Sequence, residues 1–214
     1  MPQPKDETRM EIRSMPVREL RTDDDGKLAG YSAVFNEETD IGGMFREVIL
    51  PGAFERAIKE QDDVRLLVNH DPNLILGRTK SGTLTLTEDK RGLWMEGDPP
   101  NTQLAHDTME LVKRGDLDSM SFAFVVDKEG DNWPKREEGK LPLRELTSVR
   151  LFDASIVTYP AYPNTSVGLR SAESVYQDHV QSLEGQRLEG DDEVAPERQR
   201  PSDVDHVVDE ILNL

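Results

Sequence analysis

An α+β fold that is mainly β is predicted for this chain, arranged as a sandwich or barrel with a few helices. Three observations predict it. Short segments of alternating apolar and polar residues recur along roughly the first 160 positions, which is the period of a half-buried strand. Turns rich in glycine, aspartate and asparagine separate them at regular intervals, as in sandwiches and barrels. One stretch, residues 102–114, carries instead the spacing and end signals of a helix.

Residues 1–9 are polar and are predicted to form a disordered extension, so the ordered domain is placed from residue 10, where Met10-Glu11-Ile12-Arg13-Ser14-Met15 reads as a strand. An Asp25-Gly26 turn introduces residues 28–35 as the second arm of a hairpin. A Gly42-Gly43 turn precedes a strand over 45–50, and Pro51 suits the first turn of a short helix over 51–59 with Phe54 and Ile58 as its buried stripe. Residues 63–70 read as a strand with Leu66, Val68 and His70 on one face, ended by a turn at Asp71-Pro72-Asn73. Strands over 75–79, 83–87 and 92–97 follow, separated by Ser81-Gly82 and Asp89-Lys90-Arg91.

Asn101 or Thr102 caps the helix that runs to Arg114. Its buried face is Leu104, Thr108, Leu111 and Val112, its acidic residues precede Lys113 and Arg114, and Gly115 ends it. The chain then becomes a strand with Met120, Phe122, Phe124 and Val126 on one face and Ser119, Ser121 and Ala123 on the other. Ser121 therefore sits on a rigid element between two large apolar anchors, which suits a nucleophile, although a plain polar residue on an amphipathic strand has the same pattern. Residues 127–140 are polar and read as a loop or hairpin tip, and 146–159 as a final strand pair or one bent strand. Asp153 stands in the middle of that apolar run, where a carboxylate must be paired or hydrogen-bonded if buried, or else lie on an exposed face.

From about residue 171 periodicity is lost and acid accumulates: residues 173–214 hold 12 acidic and 3 basic side chains, of a net charge of −17 for the chain. The predicted organisation is thus an ordered domain over 10–170 and an acidic, flexible tail over 171–214. Val204, Val207, Val208, Ile211 and Leu212 lie at helical spacing and predict a short helix near the tail's end. The chain has no cysteine, which excludes disulfides, thiolate metal sites and a cysteine nucleophile. No apolar run has the length of a membrane span or signal core, and no basic stripe offers counterion release, so neither a membrane nor a nucleic-acid partner is predicted.

His70, Ser121 and Asp153 are the polar residues at odd places on apolar strands. Together they supply a hydroxyl nucleophile, an imidazole base and a carboxylate to hold the imidazole. Their order differs from the chymotrypsin, subtilisin and α/β-hydrolase orders, and no Gly-x-Ser-x-Gly elbow occurs. Other readings have less behind them. His106 with Asp107 or His70 is a metal-site reading without a His-Glu-x-x-His pattern, Lys80-Ser81 is explained as a turn, and His179 and His206 lie in the tail. Asn164-Thr165-Ser166 matches a glycosylation sequon, which has no meaning without secretion.

Six segments in register resemble the prohead maturation proteases of tailed bacteriophages. They are residues 28–36, 47–54, Asn69-His70-Asp71, Leu76-Gly77-Arg78-Thr79, Lys113-Arg114-Gly115-Asp116 with Met120-Ser121-Phe122-Ala123-Phe124, and residues 153–162, within a region from about 10 to 170. The resemblance implies a closed or partly open β-barrel with surrounding helices, related in fold to the herpesvirus assembly protease. It implies a serine endopeptidase with His70 as base, Ser121 as nucleophile and Asp153 as the acidic third member, needing no cofactor or metal. The substrates it implies are the scaffold protein or the scaffold-like part of the major capsid protein, and the protease itself. The place it implies is the assembling procapsid in the host cytoplasm, and the herpesvirus relatives point to a homodimer. The rival expectation is a non-catalytic assembly or scaffold module with the same barrel, in which the three residues are structural.

Overall fold

The computed structural model describes residues 9–16, 19–23, 25–160 and 172–184. The extension before residue 9, the sequon, His206 and the predicted helix near 204–212 lie outside these residues. The chain divides into two units, Pro4–Asp178 and a second one of His179–Leu214 with Met1–Gln3. In the second unit, residues 179–184 are helical.

The larger unit is mainly β. In chain order its strands are β1 (Glu11–Pro16), β2 (Arg21–Thr22), β3 (Leu28–Val34), β4 (Thr39–Ile41), β5 (Phe45–Ile49), β6 (Arg65–Val68), β7 (Asp71–Arg78), β8 (Leu84–Glu88), β9 (Gly92–Gly97), β10 (Ser119–Val126), β11 (Asp131–Asn132), β12 (Leu143–Leu146) and β13 (Val149–Val157). Helix α1 (Glu55–Lys59) lies between β5 and β6, and α2 (Gln103–Arg114) between β9 and β10. Helix α2 follows its sequence signals: the Thr102 hydroxyl accepts from the Ala105 N–H, and Gly115 closes the helix at φ 80°, a left-handed conformation that glycine takes without a Cβ penalty.

The described strands form three sheets, ordered β1-β10-β13-β6-β7, β11-β12-β5-β4 and β2-β3-β9-β8, and none closes on itself. The expected barrel is therefore corrected to separate sheets around one core. Two local features account for this. Strands β12 and β13, separated by only Thr147 and Ser148, do not form a hairpin. Instead β12 pairs in parallel with β5, and β13 runs between β10 and β6. At that corner the N–H groups of Thr147 and Ser148 both donate to the Gly130 carbonyl, at 2.8 and 3.1 Å. A Cβ on Gly130 would lie 2.2 Å from the Ser148 oxygen, so only glycine fits the approach.

The second feature is how β1 meets its neighbours. Among the described strands it pairs only with β10, whereas the two-residue β2 is the hairpin partner of β3. Toward the β11-β12-β5-β4 sheet β1 presents side chains rather than a ladder. Arg13 bonds Glu47 at 2.5 Å and Glu11 at 2.7 Å, while Arg144 bonds Glu11 at 2.8 Å, Glu47 at 3.0 Å and Asp131 at 2.9 Å. Glu11, Arg13, Glu47 and Arg144 are all buried, so each charge relies on the others in place of water.

The main core is built from the inward faces of these strands and helices, including Leu28, Leu66, Met95, Val112, Leu146 and Ile156. Phe122 is at its centre, edge-on to Phe54 at 5.7 Å and stacked on Phe124 at 5.1 Å. A smaller cluster joins Ile41 and Phe45 to Ala172 and Val175. Residues 172–178, helical and packed there, lie beyond the expected domain limit near residue 170.

Candidate active site

Strands β10, β13 and β6 are neighbours in the five-stranded sheet, and each brings one of the three odd residues close to the others. Ser121 faces Ser155 across the β10–β13 pair, and Ala123 faces Asp153. Directly paired residues share a face, so Ser121, Asp153 and Ser155 all point away from the Phe122 core. Strict alternation along β13 would put Leu151 and Val149 on that same face. A bulge prevents this: the register steps from Ala123↔Asp153 to Phe124↔Leu151, Phe152 is the extra residue, and Leu151 and Val149 turn into the core.

His70 arrives differently from its expected place on a strand face. Strand β6 ends at Val68, Val68 pairs with Asp71, and Asn69 and His70 are the two central residues of the hairpin turn. Both have positive φ, 54° and 57°, the signature of a type I′ turn that suits the right-handed twist of the flanking strands. Glycine is favoured at the second position; histidine there costs about 1 kcal/mol. The residues expected to turn the chain, Asp71, Pro72 and Asn73, begin β7 instead.

From this tip the imidazole reaches over β13. Its Nδ1 is 2.7 Å from Asp153 Oδ1 and its Nε2 is 2.7 Å from Ser121 Oγ. A carboxylate oxygen only accepts, so the proton is on Nδ1 and the Nε2 lone pair is aimed at the serine hydroxyl. Asp153 Oδ1 also accepts from Ser155 Oγ at 2.7 Å. Ser121 Oγ accepts from Ser14 Oγ at 2.8 Å and lies 2.9 Å from the Arg13 carbonyl oxygen. The single Ser121 proton thus has two acceptors, Nε2 and the Arg13 carbonyl, and can serve one at a time. Ser121 has no exposed surface in this conformation, while the His70 side chain is 18% exposed.

Chemically, the arrangement can hold a hydroxyl beside a correctly protonated base and stabilise the imidazolium that follows proton transfer. The other sequence candidates lie elsewhere. His106 is on the exposed side of α2, with Nε2 2.8 Å from Asn101 Oδ1. Ser81 is occupied in its turn, bonded to the Arg78 carbonyl at 3.1 Å and to Thr83 Oγ1 at 2.9 Å. Among the described residues, no three histidine or carboxylate side chains are grouped to hold a metal ion. The sequence reading missed Ser14 and Ser155. Ser155 had a signal, since two residues along a strand from Asp153 it must share its face; Ser14 had none, because the β1–β10 pairing joins positions 107 apart.

Residues 13–178 match the model of the caudovirus prohead serine protease family. A solved structure, the capsid assembly protease gp21 of bacteriophage T4, is similar over 70% of this chain and 96% of that one, with 9% sequence identity and a TM-score of 0.42. Among curated proteins, none matches this chain in sequence. The family match spans well over half of the chain and includes all three residues of the hydrogen-bonded row. This chain belongs to the caudovirus prohead serine protease family, and is a serine protease of phage capsid assembly.

Proposed function

We propose that Ser121, His70 and Asp153 are the nucleophile, general base and orienting carboxylate of this protease. We further propose that its substrates are the scaffold protein or the scaffold-like segment of the major capsid protein, together with the protease chain itself, inside the procapsid in the host cytoplasm. The observation that carries the assignment is the continuous row from Asp153 Oδ1 through His70 to Ser121 Oγ, with both contacts at 2.7 Å.

In the reaction, Ser121 Oγ attacks the scissile carbonyl carbon as Nε2 takes its proton. The imidazolium, held by Asp153, then passes that proton to the leaving amine. Water, activated by the same Nε2, attacks the acyl carbon, and the released Oγ regains a proton. Access is the first step. Because Ser14 and the Arg13 carbonyl enclose the Ser121 hydroxyl, a substrate carbonyl reaches Oγ by displacing those β1 contacts. This displacement also removes the competing acceptor and leaves the hydroxyl proton to Nε2.

The test is co-expression with the major capsid and scaffold proteins of the same virus, the parent chain against Ser121→Ala, with intact mass of every product. Processing that disappears with Ser121→Ala is the expected result, and the masses locate each cut. Equal processing in both removes Ser121 from the nucleophile's role.

A further inference from the structure

We infer that Asn69 is a positioning residue for His70: its side-chain amide clips the hairpin tip to the end of β13 and so sets the imidazole between Ser121 and Asp153. The inference deepens the reading of His70 as the general base and rests on it.

The turn that carries His70 has two residues, neither of them glycine, and both in the left-handed region. Such a turn keeps one shape only where its surroundings hold it there. Three hydrogen bonds do so, all from Asn69 and all to the same stretch of chain. The Asn69 N–H donates to the Ile156 carbonyl at 2.8 Å. Asn69 Oδ1 accepts from the Thr158 N–H at 2.9 Å, and Asn69 Nδ2 donates to Thr158 Oγ1 at 3.1 Å. Ile156 belongs to β13, the strand that carries Asp153, and Thr158 immediately follows its last residue. One strand therefore holds both the carboxylate and the tip that brings it the imidazole.

The place of Asn69 argues for geometry rather than bulk stability. It is exposed, so its amide satisfies no buried group, and water would replace its bonds at little cost to folding. What water cannot replace is the fixed offset between two chain segments. His70 has to meet two partners at once, each at 2.7 Å, and a loosened tip loses both distances together. The two faces of the asparagine amide are both used, one as acceptor and one as donor, so the clip resists rotation of the tip as well as its lifting.

The test uses the full chain with three variants. Asn69→Gly keeps a backbone at ease with positive φ but deletes both amide bonds. Asn69→Asp keeps the acceptor for the Thr158 N–H. Thr158→Val removes the hydroxyl partner and leaves the turn's own sequence intact, so it carries the test should the turn variants fail to fold. Two readouts are taken: the rate at which a fluorophosphonate probe phosphonylates Ser121, and the far-downfield His70 Nδ1 proton resonance produced by the bond to Asp153.

For Asn69→Gly the maximal labelling rate is expected to fall by about 10- to 100-fold with little change in probe affinity, and the resonance to broaden or vanish. Asn69→Asp is expected to recover most of both, and Thr158→Val to fall between. Asn69→Gly and Thr158→Val with the parent's rate and resonance would overturn the inference. A parent whose Ser121 resists the probe, but whose His70 resonance is lost in Asn69→Gly, supports the positioning role and counts instead against Ser121 as nucleophile.

Discussion

Ser155 Oγ donates to Asp153 Oδ1 at 2.7 Å, the same oxygen that accepts the hydrogen bond from His70 Nδ1. Ser155 is fully buried, so no water stands ready to take its place. Ser155→Ala is expected to leave the carboxylate less firmly aimed and to lower kcat about 10-fold, by the usual worth of a hydrogen bond to a charged group. Steady-state cleavage of a capsid-derived substrate measures it. A variant with the parent's kcat would show that His70 alone orients Asp153.

The row itself predicts a hierarchy. Ser121→Ala is expected to lower kcat on the order of 10⁶-fold, and Asp153→Asn about 10⁴-fold, because the amide imposes the wrong tautomer on His70 without removing nucleophile or base. Single-turnover cleavage with long sampling separates the two. Equal losses would mean that Asp153 does more than orient.

The buried ion cluster sets how firmly β1 is attached to the β11-β12-β5-β4 sheet. Arg144→Met leaves Glu11, Glu47 and Asp131 with Arg13 as the cluster's remaining cation. The expected loss is about 3–5 kcal/mol of folding stability, the cost of leaving buried charge uncompensated. Urea denaturation of parent and variant gives the difference, and a loss under about 1 kcal/mol would mean that the carboxylates find water or protons cheaply.

The same cluster predicts an acid limb of stability. Burial alone would push the Glu11 carboxyl up, but Arg144 and Arg13 overcome it and hold the group below its ordinary 4.5. A carboxyl depressed in the folded state binds fewer protons there than in the unfolded chain, so stability rises with pH through this window. The Glu11 contribution is thus complete above about pH 4.5 and is lost as pH falls through the folded value. Denaturation midpoints between pH 6 and 3 are expected to fall more steeply for the parent than for Glu11→Gln. Parallel slopes would assign the acid limb to other groups.

Much of this site was legible in the sequence, and the illegible parts share a cause. Local signals were enough for α2, whose cap and terminator lie within a few residues of it, and for β10, whose alternation places Ser121 opposite Phe122. They also marked Asp153 as a carboxylate that is either exposed or partnered; it is buried, and His70 and Ser155 supply the partners. Three features depend on distant pairing and left no local trace. Residues 146–159 read as a final strand pair or one bent strand, yet the chain changes sheets at the Leu146–Val149 corner. His70 reads as the end of a strand, because an Asn-His turn lacks the glycine that usually announces type I′. The five buried or nearly buried charges of the Arg144 cluster carry no local sign of their pairing, since Glu11, Glu47 and Asp131 meet only after β1, β5 and β11 are in place. The barrel expectation failed at these junctions and not within any strand.

Phe152 gives β13 a property that neither neighbour has. Sequence positions along β13 are read by the sheet as odd or even, and this one uncounted residue changes the parity midway, so that Val149 and Leu151 are inward and Asp153 and Ser155 outward. Deleting Phe152 would leave a regular ladder with Leu151 still inward and Asp153 still outward, whereas counting Phe152 into the ladder, opposite Ala123, would bring Asp153 opposite Phe122 and into the core. In this strand the place of the carboxylate beside His70 is a matter of counting before it is a matter of distance.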